Sequence, residues 1–294
     1  MDQSFFGKPC EVFRLTPSFW NILSKARHQG IQLHNLSSYG TKILSSSFDK
    51  RFDDILNYLG VQFVHSEWYV TCIKSSNIVH GLSDDVYVQL LVFLAMNWSS
   101  EFQKTSIKSI PLMKYVNLNF QVSLCSINAA ASACGGTSLF MACDSSSISW
   151  LIDWAKEFNN VSRHFSLPKL TQEAISSSSQ SQALLDWLSS EAKVTSYGVF
   201  EYAVDISNAL GDDWNLAITY MHFLYHSDIN GHLNAHEVSR LCSKMPIVDI
   251  HDYVYTQRNG VLLPAEGSRW AQLFDFNPWK LEGYVELGEC YLQP

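Results

Sequence analysis

The sequence predicts an α+β protein that is predominantly helical, with local antiparallel β-hairpins and two weakly related helix-plus-hairpin units. Apolar residues recur at helical spacing in several stretches, whereas strand-like alternation is confined to short segments near turn residues. A pattern of buried helix followed by a proline-led strand occurs twice. At 294 residues with 47% hydrophobic content, the chain is long enough for one large core or two of ordinary size.

Three stretches carry the strongest helical signals. The segment "VYVQLLVFLAMNW" (86–98) is apolar almost throughout, which predicts a buried helix. It is shorter than the roughly 20 residues that a membrane span needs, so we expect no membrane contact. The segments "ISWLIDWAKEF" (148–158) and "YGVFEYAVDISNALG" (197–211) each place apolar residues on one face, and Gly211 is a predicted helix stop. The predicted buried faces are Ile148, Leu151, Ile152, Ala155 and Phe158 in the former and Val199, Ala203, Ile206 and Leu210 in the latter.

Two serine-rich stretches interrupt these helices. We expect "DSSSIS" (144–149) to cap the helix that follows it, because Asp and Ser side chains accept hydrogen bonds from free backbone N–H groups. The second stretch, "ISSSSQSQ" (175–182), is typical of a flexible surface link.

Strand signals are fewer and local. The segment "NFQVSLCSI" (119–127) alternates apolar and polar residues, which indicates one strand. In "YVYTQRNGVLLP" (253–264), two β-rich runs flank Asn259-Gly260, a dipeptide that favours a two-residue hairpin turn. The sheet component is therefore expected to consist of hairpins rather than a long parallel sheet.

The chain contains a weak internal repeat. "LSDDVYVQLLVFLAMNW" (82–98) resembles "LGDDWNLAITYMHFLYH" (210–226), and "SIPLMKYV" (109–116) resembles "KMPIVDIH" (244–251). Each half then contains a buried helix, a connector and a proline-led strand. We expect a first unit over 1–165 and a second over 166–294, truncated at the C-terminus, because "ECYLQP" (289–294) stops directly after strand-like sequence.

Composition excludes some functions. The net charge is −8 with a pI near 5.6, and the basic residues are scattered, so direct nucleic-acid binding is not expected. The seven cysteines form no C-x-x-C pair, which favours free, mostly buried thiols in a reducing compartment, nuclear or cytoplasmic.

The segment "HSDINGHLNAHE" (226–237) resembles a calcium loop, with Asp228, Asn230 and Glu237 as the candidate metal ligands. Its first position holds His226, where the template requires a carboxylate. A second interpretation fits the same residues: Asn230 turns the chain, and Asn234 with Glu237 forms a capping box for the next helix. We favour the capping box, and predict no bound metal and no cofactor.

Other candidate chemistry is limited. His222 and His226 share a helix face, as zinc pairs do, and His232 and His236 lie near them in sequence, but no glutamate or nearby cysteine completes a zinc set. Half-buried or surface imidazoles are therefore expected. The sequence has no phosphate-loop, dinucleotide or hydrolase motif, and "CGGTS" (134–138) is interpreted as a tight turn. We expect no catalytic residues.

Five sequence blocks together carry a resemblance to a known family: "SNIVHGLSDDVYVQLLVFLAMNW", "SWLIDWAKEF", "ALLDWLSSEAKV", "MPIVDIHDYVYTQRNGVLLP" and "GSRWAQLFDFNPWKLEGYVELGECYL". They resemble the middle region of plant NO VEIN-like proteins. That family is related to sacsin and carries a gyrase, heat-shock-protein-90 and histidine-kinase type ATPase module. The resemblance extends from about Asn57 to the end of the chain.

The resemblance implies a nuclear protein that acts in plant development. The E-x-x-x-N helix and the D-x-G-x-G loop of the ATPase module are both missing from this sequence, so ATP binding is assigned to no residue. The expected function is a non-catalytic structural or protein-interaction segment, whose partners are other domains of the same longer protein or separate proteins. The alternatives are a degenerate EF-hand-like metal-binding module and an accessory region of a chaperone-like ATPase whose ATPase module is absent.

Overall fold

The chain folds as an α+β protein in which helices predominate and the sheets have only two or three strands, which confirms the predicted fold class. The structure is a computed structural model. It describes residues 8–31, 33, 41–44, 52–117, 119–130, 139–158, 165–211, 213–243, 245, 247–248, 254–255, 261–262 and 285–286.

The helices include all three that the apolar spacing predicted. Helix α5 coincides with the segment that is apolar throughout, and α7 and α10 coincide with the two one-sided patterns. Among the described residues, no helix combines the length and the apolar character that crossing a bilayer requires. The helices are α1 Pro17–His28, α2 Asp53–Tyr58, α3 Ser66–Ser76, α4 Ile78–Gly81, α5 Asp84–Met96, α6 Ile127–Ala130, α7 Ile148–Glu157, α8 Lys169–Ser177, α9 Ser181–Ser190, α10 Val199–Ala209, α11 Trp214–Ile229 and α12 Ala235–Cys242.

The strands are short, most of them two residues long. The strands are β1 Val12–Phe13, β2 Lys42–Ile43, β3 Pro111–Val116, β4 Val122–Ser126, β5 Leu139–Ala142, β6 Phe165–Ser166, β7 Thr195–Tyr197, β8 Ile247–Val248, β9 Val254–Tyr255, β10 Val261–Leu262 and β11 Val285–Glu286. The pairs β3–β4 and β8–β9 are antiparallel, as expected of hairpins, whereas β1–β2, β5–β6 and β10–β11 are parallel. The sequence did not predict the parallel pairs, because two residues are too few to show an alternating pattern.

The two extended runs that flank Asn259-Gly260 do not pair with each other as the sequence predicted. The dipeptide itself lies outside the described residues. Strands occur on both sides of it, at β9 and β10, but β9 pairs with β8 and β10 pairs with β11. Residue preferences identified the two extended runs here, but they do not determine which strand each run pairs with.

Two compact units make up the chain, and each is built from two separate segments. Unit 1 comprises Met1–Met141 and His164–Thr195, and unit 2 comprises Ala142–Arg163 and Ser196–Pro294. The sequence predicted one boundary between residues 165 and 166. In the structure, the segment with α7 belongs to unit 2, although it precedes the segment with α8 and α9, which belongs to unit 1.

Unit 1 is organised around α5. Helices α1, α8 and α9 all pack against it, because most of its surface is apolar. The rings of Phe19 of α1, Tyr69 of α3 and Phe93 of α5 form a cluster with centroid separations of 4.8 to 5.4 Å. Each pair of rings is edge-to-face or tilted. The buried residues of α5 are Val86, Tyr87, Val88, Leu90, Leu91, Phe93 and Leu94.

A buried polar cluster joins α5 to β3 and α8. The Tyr87 hydroxyl donates to the Leu112 carbonyl at 2.8 Å and accepts the Lys114 backbone N–H at 3.0 Å. The Lys114 ammonium donates to the Leu82 carbonyl at 2.9 Å, lies 4.6 Å from the Tyr87 ring centroid and is 3.6 Å from an Asp84 carboxylate oxygen. That oxygen also accepts the Thr171 hydroxyl of α8 at 2.5 Å. Burial raises the pKa of Tyr87 well above its ordinary value, so the phenol stays protonated.

Unit 2 is organised around α11, which contacts α10, α12 and β8. The predicted buried face of α10 is confirmed, since all four of its residues are buried, and Gly211 follows with a φ of +53°. On the predicted face of α7, Ile148, Leu151 and Phe158, which directly follows the helix, are buried, whereas Ile152 and Ala155 are half-buried. The Phe158 ring meets Phe223 of α11 edge-on at 5.7 Å, so aromatic contacts fill the space between these helices.

The two serine-rich stretches differ from each other. The Asp144 carboxylate accepts the Ser146 backbone N–H at 3.2 Å and starts a 3₁₀ turn before α7, as the capping prediction requires. The second stretch is mostly helical, and only residues 178–180 separate α8 from α9, so the predicted flexible link was too long. The Ser176 and Ser177 hydroxyls donate to carbonyls one turn earlier, which accommodates both serines within the helix.

We expect Tyr87→Phe to lower the free energy of unfolding by about 2 to 4 kcal/mol, because the buried Leu112 carbonyl and Lys114 N–H lose their shared partner. Equilibrium urea unfolding measures this change. Tyr58→Phe is the matched control, since Tyr58 is 91% exposed, and it should leave the unfolding midpoint unchanged. Equal stability of the two variants would show that the buried hydroxyl contributes nothing.

Candidate functional site

The segment 226–237, which resembles a calcium loop, begins as the last turn of α11. Helix α11 ends at Ile229, and Gly231 adopts a φ of +72°. The Gly231 N–H donates to the Asp228 carbonyl at 3.0 Å, and the His232 N–H donates to the Ser227 carbonyl at 2.8 Å. This pair of bonds is a Schellman motif, in which a glycine past the helix end satisfies the last carbonyls. The glycine therefore serves to end a helix.

The second half of the segment starts α12 through a capping box, which confirms that prediction. The Asn234 side-chain oxygen accepts the Glu237 backbone N–H at 3.0 Å, and a Glu237 carboxylate oxygen accepts the Asn234 backbone N–H at 2.9 Å. Both bonds satisfy N–H groups at a helix start that lack partners within the helix. Leu233, between the two caps, is buried and anchors the turn.

The three candidate metal ligands are held in different local roles. Asp228 lies in the last turn of α11, and the Asn230 side chain donates its N–H to the His226 carbonyl at 2.8 Å. The Glu237 carboxylate is occupied by the capping box. Within the described part of the chain, no three side chains of His, Cys, Asp or Glu come together as a metal-binding group.

The histidines of this region pack against tryptophans of α7. The His232 ring stacks on Trp150 at 4.7 Å, and the His226 ring lies 6.2 Å from Trp154. The Trp150 indole N–H donates to the hydroxyl of buried Ser227 at 3.0 Å, which fixes the orientation of the ring. Imidazoles 222, 226 and 232 are half-buried and imidazole 236 is exposed, as expected.

His222 and His226 share a helix face, as their spacing predicts. Their ring centroids are 6.3 Å apart with an interplanar angle of 20°, so the two imidazoles stack. In this arrangement both rings serve aromatic packing in unit 2. The "CGGTS" turn (134–138) lies outside the described residues.

Of the five cysteines in the described ranges, three are buried: Cys72, Cys125 and Cys242. Cys143 is exposed, yet burial of its sulfur, together with the nearby Glu201 and Asp144 carboxylates, raises the pKa of its thiol. The thiol is therefore protonated at neutral pH, and a protonated thiol is a poor nucleophile.

Helix α2 presents a surface that the sequence analysis missed. Ile55, Tyr58 and Leu59 occupy positions i, i+3 and i+4, so they share one side of the helix, which we call the α2 apolar face. These residues are 53%, 91% and 48% exposed. Isolated apolar residues at a surface are ordinary, but a contiguous apolar group indicates an interaction site. A helix of six residues gives too little periodicity to reveal which side faces outward.

Local contacts fix the orientation of α2. Gly60, with a φ of +74°, donates its N–H to the Asn57 carbonyl at 3.0 Å, and the Val61 N–H donates to the Leu56 carbonyl at 2.9 Å. This second Schellman motif places the buried side chains of Leu56 and Val61 at the end of the helix. Since Leu56 is anchored inward, the α2 apolar face is directed outward.

Arg14 holds the other side of α2. Its guanidinium donates to the Asn57 side-chain oxygen at 2.6 Å and lies 3.7 Å from an Asp53 carboxylate oxygen. The same group lies 4.3 Å from the centroid of the Phe63 ring. Arg14 itself is only 9% exposed, whereas the side chain of its ion-pair partner Asp53 is 58% exposed. The α2 apolar face is therefore carried by a helix that is tied to unit 1 at its side and at its end.

Comparison of the chain with protein-family models, with curated proteins and with solved structures gives no significant match.

Glu237→Gln should leave the free energy of unfolding within about 0.5 kcal/mol of wild type, because glutamine also completes a capping box. Asn234→Ala should lower it by about 1 kcal/mol, because the Glu237 N–H loses its acceptor. Urea unfolding of both variants measures the two changes.

Added calcium should not change the melting temperature of the wild-type protein, because the Glu237 carboxylate is occupied by the Asn234 N–H. A melting temperature that rises with calcium concentration in the wild type but not in Glu237→Gln would contradict the capping interpretation, since a ligand that binds only the folded state raises stability. Differential scanning calorimetry at several calcium concentrations measures the effect.

Proposed function

We propose that this chain is a non-catalytic protein-interaction segment and that the α2 apolar face is its principal contact surface. The observation that carries the proposal is the outward orientation of Ile55, Tyr58 and Leu59 on a helix fixed by Arg14 and a Schellman motif. A fixed surface loses little conformational entropy on binding, so more of the contact energy contributes to affinity.

The composition of the α2 apolar face suits a protein partner. Tyrosine and other large apolar side chains dominate the energetic centres of protein interfaces, whereas lysine and glutamate are depleted there. The net charge of −8 and the scattered basic residues do not favour a nucleic-acid partner, which requires clustered cations to neutralise phosphates. Asp54, in the first turn of α2, provides a polar residue at the edge of the apolar face, as in the polar rim of most interfaces.

We also propose that this segment catalyses no reaction. The thiol of exposed Cys143 is kept protonated by its surroundings. The phenol of Tyr197 has a pKa raised to about 12 by burial and by its hydrogen bond to the Asp205 carboxylate. The pKa values of both groups are moved further above neutral pH. Acid–base or nucleophilic catalysis at neutral pH requires a shift in the opposite direction.

We further propose that the segment belongs to a NO VEIN-like plant protein that acts in nuclear or developmental regulation. What supports this is the likeness of the five sequence blocks, among them "SNIVHGLSDDVYVQLLVFLAMNW" (76–98). Its partners would then be other domains of the same longer protein or separate proteins. The free, buried thiol of Cys72 is in keeping with a nuclear or cytoplasmic location.

The triple variant Ile55→Ser, Tyr58→Ser, Leu59→Ser should lose the partners that the wild-type chain retains. Removal of buried anchors such as tyrosine from the centre of an interface costs about 2 kcal/mol or more each, so retention should fall at least about thirtyfold. The measurement is quantitative mass spectrometry of proteins retained from a plant nuclear and cytoplasmic extract by the immobilised chain. Because all three residues are exposed, the melting temperature should stay close to the wild-type value.

A matched control removes the same number of exposed apolar side chains from three separate elements. Val122, Leu170 and Ile229 are 60%, 62% and 62% exposed and lie on β4, α8 and α11. The triple serine variant at these positions should retain the same proteins as the wild type. If the two triple variants retain equal amounts, the α2 apolar face is not the contact surface.

A further inference from the structure

A groove runs along the exposed side of α5 in unit 1. Asp85, Gln89, Val92 and Met96 follow one another at i, i+4, i+7 and i+11, so they form a single stripe along the helix. This stripe forms the floor of two adjoining cavities of about 570 and 370 Å³, both of which Gln89 lines.

The walls of the groove come from the helices on either side. One wall is a stripe of α1, and the other is the end of α8 with the connection to α9. The C-terminal end of α1 is held against the start of α5 by Gln29, whose side chain both donates to the Ser83 hydroxyl at 2.7 Å and accepts the Ser83 N–H at 3.1 Å. The wall residues are Ser18, Asn21, Lys25 and His28 on α1 and Ala174, Ser177, Ser178 and Gln180 opposite.

Five side-chain amides line the groove, and one of them, Gln29, is used to hold α1 against α5. Gln89 accepts the Lys25 ammonium at 2.9 Å through its oxygen, which leaves the NH₂ group as a donor. Asn97 donates to the Phe93 carbonyl at 2.7 Å through its NH₂ group, which leaves the oxygen as an acceptor. Asn21 and Gln180 are exposed, and neither side chain bonds to another residue in the described ranges. The groove therefore offers both donors and acceptors along its length.

The two ends of the groove differ in chemistry. Lys25 and Asp85 provide charges of both signs at the end near the start of α5, where the His28 imidazole also lines the groove. Val92 and Met96 provide an apolar floor at the other end, where Met96 is 57% exposed. Methionine adapts its shape to different apolar side chains, so this end suits an apolar residue of variable form.

We propose that this groove binds an extended peptide segment, with an apolar side chain against Met96 and a polar side chain near Lys25 and Asp85. An extended main chain presents alternating N–H and C=O groups, which the amide side chains complement in both directions. Helix α5 is about 20 Å long, which corresponds to about six residues of extended chain. The surface is distinct from the α2 apolar face and does not depend on it.

A peptide fits this groove better than a glycan or a nucleic acid. Sugar rings and bases bind by stacking on exposed aromatic faces, whereas Phe93, the aromatic residue among the lining side chains, is only 5% exposed. The acidic Asp85 next to Lys25 also opposes a continuous phosphate backbone.

The test is selection of a phage-displayed library of random nine-residue peptides against the immobilised full chain, followed by fluorescence anisotropy with the enriched peptides. We expect enriched peptides to share an apolar position and a polar position about four to five residues apart, as the length of the groove requires. Asn21→Ala, Gln180→Ala should weaken their binding by about tenfold, because two hydrogen-bonding groups are removed. Gln62→Ala, Gln103→Ala is the matched control, since it removes two exposed amides outside the groove and should leave binding unchanged.

Three outcomes overturn the proposal. In the first, the selection enriches no peptides. In the second, the enriched peptides bind the groove variant as tightly as the wild type. In the third, proline at every interior position of the peptides, one at a time, abolishes binding. The last result indicates a helical ligand, since an extended peptide accepts proline wherever its N–H is not bonded. The triple serine variant of the α2 apolar face should bind the peptides normally, which separates failure of this proposal from failure of the proposed function.

Discussion

Burial of α5 is the constraint on which unit 1 depends. A helix that is apolar on most sides must be covered, and α1, α8 and α9 supply the cover. Covering it also buries polar groups at its start, which costs free energy unless each group finds a partner. The cluster of Tyr87, Lys114 and Asp84 provides those partners, because one hydroxyl, one ammonium and one carboxylate together bind β3, α8 and the backbone before α5.

The same cluster determines which side of α5 remains exposed. Apolar packing alone tolerates rotation of a helix about its axis, whereas the Tyr87 hydroxyl between the Leu112 carbonyl and the Lys114 N–H permits one orientation. With that orientation fixed, the stripe from Asp85 to Met96 forms the floor of the groove. The proposed peptide site therefore lies on one of the most firmly held elements of unit 1, and the α2 apolar face is held by a separate set of contacts around Arg14.

Features that depend on a few neighbouring residues were predictable from the sequence. The capping box at Asn234 and Glu237, the buried α5 and the one-sided face of α10 all follow from residue type and spacing within one element. The calcium-like appearance of residues 226–237 has the same origin. A Schellman glycine followed by an Asn-x-x-Glu cap places oxygen-bearing residues at intervals similar to those of a metal loop.

Features that depend on distant contacts were not predictable. The sequence order of α7 before α8 gives no sign that α7 belongs to unit 2 and α8 to unit 1. Strand β10 pairs with β11, which lies much later in the chain, so residue pattern alone did not identify its partner. The α2 apolar face was missed because Ile55 and Leu59 have the spacing of a core stripe. Their outward direction depends on the inward anchoring of Leu56 together with the contacts of Arg14, which is far away in sequence.

NMR-detected hydrogen exchange of the Lys114 amide tests most directly whether the buried cluster organises unit 1. This N–H donates to the Tyr87 hydroxyl rather than to a strand partner. If the cluster holds α5 in place, the amide opens only when unit 1 unfolds, and its exchange rate should match the slowest amides of α5, such as that of Leu91. Exchange as fast as that of the Tyr58 amide in the short helix α2 would contradict the central role of the cluster.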